Sequence, residues 1–134
     1  KNLERLMFIL MIFLISLILF LSIALHSKII KTVESKNLYF SFSTLFFSHL
    51  LQIFLFAFLY FVFIKFFGSE LIFVDGSNYS LINLTYFSAN VYTTLGMGDI
   101  VPSGMLKIIA TVESIFGLIM IAFSASAIFK KLKI

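Results

Sequence analysis

The chain has no cysteine, a single proline, and charged side chains at only 12% of its 134 positions. Without cysteine there is no disulfide framework, no thiolate metal site and no cysteine nucleophile. Scarce charge, together with 61% hydrophobic residues and a mean hydropathy of +1.13, excludes an ordinary soluble domain. No grouping of acid, base and nucleophile appears, which argues against an enzyme. The net charge of +4 comes mostly from Lys28, Lys31, Lys36, Lys130, Lys131 and Lys133, all beside apolar runs. Charge placed there orients a chain in a bilayer and is not a nucleic-acid footprint. The composition is that of a small integral membrane protein.

What is present is three long apolar stretches. Leu6 to Leu25 is interrupted only by Ser16 and Ser22, and at ~1.5 Å per residue it crosses ~30 Å of hydrocarbon. Lys1 and Arg5 ahead of an apolar core also fit a signal peptide. The core exceeds an ordinary h-region and no small-x-small cleavage site follows, so a retained span is expected. Residues 26–42 carry Lys28, Lys31, Glu34 and Lys36, a net +2; this interval either extends the first helix or lies along the membrane surface. A second span, Ser43 to Phe67, is dense in phenylalanine, with Lys65 able to snorkel from its end. His49 and Gln52, three residues apart, share a helical face; interfacial or interhelical hydrogen bonding is the expected role and a pH-responsive histidine the alternative.

Gly68 to Ser80, with Glu70, Asp75-Gly76, Ser77 and Asn78, reads as a loop facing outward. The Asn78-Tyr79-Ser80 and Asn83-Leu84-Thr85 triplets match a glycosylation pattern by composition alone. Ser80 is a plausible N-cap for Leu81 to Thr93, a run too short to span a bilayer but suited to half of one. Ile100 to Gly104 reads as an extended exit and turn, with Pro102 barring helix before it. A third span, Met105 to Phe129, ends at Lys130-Lys131-Leu132-Lys133.

Between the short helix and the last span lies Thr93-Thr94-Leu95-Gly96-Met97-Gly98-Asp99. A cation leaving water needs its hydration shell replaced by oxygens, and backbone carbonyls supply these without net charge. Carbonyls of one short run face a common axis only if successive residues alternate between right- and left-handed backbone, which Gly96 and Gly98 permit. A lone Gly-x-Gly-Asp is a common turn. Span, short helix, motif and span in that order set this one apart.

The stretch resembles the selectivity filter of the tetrameric potassium-channel pore family, whose usual filter reads TVGYG; Leu95 replaces the valine and Met97 the tyrosine. Tyr86 to Thr94 is similar to that family's pore-helix run. The resemblance implies an all-α membrane fold with residues 43–134 as pore domain (outer helix, pore helix, filter, inner helix) and 1–42 as an extra N-terminal span with a basic linker. It implies K+ as the permeant ligand, coordinated by the carbonyls of Thr94, Leu95, Gly96 and Met97 and the Thr94 hydroxyl. Gly98 completes the filter, which Asn90, Thr93 and Asp99 support. No other cofactor is expected. The expected partners are three further copies in a homotetramer, membrane lipids and monovalent cations.

Several residues are read through that resemblance. Asn90 is expected either to donate to Asp99 or to be a small polar residue buried among aromatics and hydrogen-bonded elsewhere. Met97 lacks the hydroxyl by which the family's tyrosine braces the filter, so its brace is packing alone. Glu113, inside the third span, is expected to face protein behind the filter, either protonated or accepting hydrogen bonds. Gly117 is either a hinge or a close-packing glycine, and Ile121, Ala125 and Phe129 either line a cavity and gate or pack as ordinary helix. A lysine-rich cytoplasmic C-terminus in the cell membrane places residues 26–42 inside. Lys1 and Arg5 then fall outside, against the positive-inside rule, unless other charges dominate or an upstream segment precedes. The first span has no arginine series and cannot be a voltage sensor. The expected function is a passive potassium channel, with a weakly selective cation channel, a potassium-transporter subunit and a non-conducting assembly as alternatives.

Overall fold

Three helices are long and apolar enough to cross a membrane, as the hydropathy pattern predicts. The computed structural model describes residues 2–35, 37–74 and 76–132. Lys1, Lys36, Asp75 and Lys133, together with the Glu34 side chain, carried charge or turn expectations and lie outside the described residues.

The order is α1 (Asn2–Ser35), α2 (Leu38–Phe67), β1 (Leu71–Phe73), α3 (Leu81–Tyr92), β2 (Ile100–Pro102) and α4 (Leu106–Leu132). Helix α1 runs ten residues beyond the expected end at Leu25, so part of the polar interval extends the first helix. Helix α2 starts at Leu38, earlier than Ser43, because Asn37 caps it: its Oδ1 accepts from the Phe40 N–H at 2.9 Å. At the other end Gly68, at φ 62°, turns the chain out and returns its N–H to the Phe63 carbonyl. Ser80 caps α3 as expected, accepting from the Asn83 N–H at 3.1 Å, and the helix stops one residue short of Thr93.

The segment read as a loop contains a strand. β1 pairs antiparallel with β2 in the register Leu71↔Pro102, Ile72↔Val101 and Phe73↔Ile100. Leu71 and Ile100 turn inward while Ile72 stays exposed, the two-residue alternation of a half-buried ribbon. The Val74 N–H extends the ladder to the Asp99 carbonyl at 2.9 Å, and the Ser103 N–H closes it on the Glu70 carbonyl at 2.9 Å. The end of the glycine motif is thereby fastened to the top of α2.

One core joins all four helices: Met11 and Ile15 of α1 meet Phe56, Tyr60 and Phe63 of α2, Leu84 and Phe87 of α3, and Ile109 and Met120 of α4. In a membrane such contacts hold by van der Waals fit and polar links, since lipid is as apolar as leucine. Phe20, Phe47, Phe58 and Phe66 stay exposed, as side chains facing lipid do.

Candidate functional site

Helix α3 ends at Tyr92 and the glycine motif follows at once. Thr94, Gly96 and Gly98 have φ of 58°, 61° and 78°, while Leu95 and Met97 between them keep negative φ. Handedness therefore alternates through five residues. A Cβ on Gly96 or Gly98 would meet nothing within 4 Å, so the demand for glycine is conformational and not one of space. Thr94 is β-branched and holds positive φ without that freedom, a strained position the surroundings must enforce. They do so with α3's last carbonyls: the Leu95 N–H donates to Asn90 at 2.9 Å, Gly96 to Asn90 at 3.4 Å, and Thr94 to Val91 at 3.0 Å. Among the described residues no hydrogen bond is made to the carbonyls of Thr94, Leu95, Gly96 or Met97. Leu95 and Met97 are 63% and 64% exposed, so little of either side chain packs against its own chain.

Behind the motif, Asp99 receives its hydrogen bond from the Tyr86 hydroxyl at 2.8 Å, a donor the sequence reading did not single out. Asn90, for which that role is one of two expectations, instead gives its Nδ2–H to the Tyr86 carbonyl at 2.9 Å, and its Oδ1 is buried without a partner. The reason is helical spacing, since the carbonyl four residues back lies under the Asn90 side chain. Tyr86 lies outside the three spans, and its hydrogen bond to Asp99 raises the phenol above its ordinary pKa. The bond is thus intact through neutral pH and lost only as strong alkali removes that proton. Thr93 turns its hydroxyl back to the Ala89 carbonyl at 2.7 Å.

Deeper, the Glu113 carboxyl is fully buried, as the sequence reading expected. Tyr60 of α2 donates to its Oε2 at 2.5 Å, and Ser88 of α3 meets its Oε1. The Ser88 hydroxyl also reaches the Ile53 carbonyl at 2.8 Å. Ser88 has one proton for two acceptors, so a protonated Glu113 that donates to Ser88 lets all three contacts be made. Tyr60 is seated by the Phe87 ring, edge-on at 5.0 Å. These links clamp the middle of α3 between α2 and α4.

The last turn of α3 is held at Tyr92. A Cβ on Gly117 would stand 2.1 Å from the Tyr92 carbonyl oxygen, so α4 passes too close for any side chain there. Of the two expectations for Gly117, this geometry carries close packing. The Tyr92 hydroxyl donates to Gln52 Oε1 and lies 2.8 Å from His49 Nδ1, which makes His49 and Gln52 the interhelical pair their spacing implied. Nothing in the sequence near Tyr92 marked it as the pivot. Ile121, Ala125 and Phe129 lie along an open apolar groove of about 450 Å³ shared with Phe46, His49 and Ser124.

Among the described residues no group of three histidine or acidic side chains could hold a metal. A family model described as "Ion channel" matches residues 48–133. No curated protein and no solved structure matches the chain.

Proposed function

The chain belongs to this ion-channel family, which is not an enzyme family, and on that premise we propose that it forms a homotetrameric channel passing potassium passively through a filter of backbone carbonyls. The observation that carries this reading is the alternation of φ over residues 94 to 98, with the N–H groups at its start spent on α3 and the carbonyls left without partners. Such a strand offers one oxygen per level. Encircling an ion therefore takes several copies, four in the family pattern.

In this proposal the carbonyls of Thr94, Leu95, Gly96 and Met97, with the Thr94 hydroxyl, replace the water around K+, and Gly98 allows the last turn of the strand. Helix α3 contributes twice. Its terminal carbonyls hold the strand's N–H groups, and its C-terminal partial negative charge favours a cation midway through the bilayer. Residues 43–134 make the pore and 1–42 add a span. Ile121, Ala125 and Phe129 face the cavity, with the C-terminus on the cytoplasmic side of the cell membrane.

A second reading, a weakly selective monovalent cation channel, is favoured by Met97, which is exposed and has no hydroxyl with which to brace the carbonyl ring. Planar-bilayer recording decides between them. A reversal potential following the potassium gradient supports the first, one between the potassium and sodium values supports the second, and silence at all potentials favours a transporter subunit or a non-conducting assembly.

A further inference from the structure

A second set of buried polar groups has no part in the carbonyl chemistry and links all four helices. Tyr92 of α3 donates to Gln52 Oε1 and contacts His49 Nδ1 at 2.8 Å. His49 Nε2 lies 2.9 Å from Ser124 Oγ on α4, which lies 3.1 Å from His26 Nε2 on α1. His26 Nδ1 is 3.5 Å from Ser48 Oγ, which donates to the Leu45 carbonyl at 2.7 Å. His26, Ser48, Gln52, Tyr92 and Ser124 are all buried, Ser124 the least so at 8% exposure.

Both ends of this chain are acceptors, Gln52 Oε1 and the Leu45 carbonyl, so its six contacts need six protons. With both imidazoles neutral, three hydroxyls and two ring N–H groups supply five. The Met120 carbonyl, 3.0 Å from Ser124 Oγ, deepens the shortage. Two arrangements cure it. A sixth proton on one imidazole completes the six contacts between Gln52 and Leu45, with Tyr92 donating to Gln52. Alternatively, the Gln52 amide turns over and its Nε2–H, now buried without a partner, donates to Tyr92. Tyr92 then donates to His49, and the bonds between Gln52 and the ring that held the extra proton reverse direction, while Ser48 still donates to the Leu45 carbonyl.

We propose that His26, Ser124 and His49 form a shared one-proton site tying α1 to the end of the pore helix, and that the proton decides whether the Tyr92 hydroxyl donates to Gln52 or to His49. Thr94, the first strained residue of the filter strand, lies two positions beyond Tyr92. His26 is therefore a positioning residue for conduction, acting through Ser124 and His49. The effect on conduction rests on the channel reading above; the proton count does not.

The groups facing the site are few. Helix α1 brings His26, with Lys28 and Lys31 exposed; α2 brings His49, and α3 brings Tyr92. Along α4 the nearest carboxylate is Glu113, eleven residues before Ser124 and ~16 Å along the axis. Lys131 lies seven residues beyond Ser124 and donates to Ser41. Among the described residues no carboxylate contacts either imidazole, so hydrogen bonds alone stabilise the shared proton.

Ring-nitrogen NMR on histidine-labelled protein in phosphatidylcholine vesicles tests the site, since the chain has only 2 histidines. Expected is one common midpoint for both rings, with one proton taken up by the pair. Two independent titrations, or none, would overturn the proposal. In planar bilayers with symmetrical potassium chloride, open probability should change by about fivefold or more across that midpoint. That response should vanish in His26→Gln and Tyr92→Phe and persist in Ser16→Ala, an exposed position on α1. A response that survives His26→Gln overturns the coupling. Should wild type carry no current at any pH, the channel reading fails, and the nitrogen spectra still decide the proton site.

Discussion

The front and the back of the pore loop are built on opposite principles. At the front, residues 94 to 97 present carbonyls without partners and three exposed side chains, and the strand alternates handedness at some conformational cost. At the back, the polar side chains Ser88 and Tyr92 bond to Glu113, Gln52 and His49 on the flanking helices. The contrast teaches that the front cannot fix its own geometry. Its carbonyl positions are inherited from a clamped pore helix, and the clamp matters the more because Met97 offers no hydroxyl brace.

The hardest break lies at the back. Gly117→Ala sets a methyl against the Tyr92 backbone, and overpacking of that kind costs about 3 kcal/mol. A marked fall in the melting temperature of the detergent-purified protein, with loss of current, is expected; a fully stable, conducting variant would show that the back does not position the front. Next is Glu113→Ala, which takes the acceptor from the Tyr60 hydroxyl and the donor from Ser88. Its expected cost is about 2 kcal/mol, while Glu113→Gln, which keeps an acceptor and a donor in place, should lose less in the same assay.

At the front, Met97→Tyr leaves the clamp alone and offers the missing hydroxyl. Potassium preference over sodium should rise roughly fivefold, about the worth of one net hydrogen bond. Reversal potentials identical to wild type would show that packing already does what the hydroxyl would. The smallest effect is expected from Tyr86→Phe, which removes one exposed bond to Asp99. Current should persist and run down somewhat faster, and an unchanged decay would mean that the strand pairing of Val74 with Asp99 suffices.

How much of this was legible in the sequence follows from how far apart the partners lie. The long apolar helices, the Ser80 cap, the short helix α3 and the glycine motif are local patterns, and they appear where hydropathy and backbone chemistry put them. Glu113 was recognisable as buried because a carboxylate in a span must face protein. Its partners were not, since Tyr60 lies 53 residues away and Ser88 25. Strand β1 escaped notice because a three-residue run after Glu70 has too little alternation to separate it from loop. Its partner β2 lies beyond the whole pore helix. His26 read as the start of a polar linker, and only the fold brings it to Ser124, 98 residues on. Asn90 shows the opposite case: the position left two partners open, and the side chain is taken by the Tyr86 carbonyl one turn back.

The most direct test is a density map of the protein assembled in lipid with rubidium as an anomalous marker for potassium. Carbonyl coordination predicts four copies around one axis, with rubidium peaks in file beside the oxygens of residues 94 to 97. A monomer, or an assembly whose axis at that level holds no rubidium and whose oxygens point elsewhere, would contradict it.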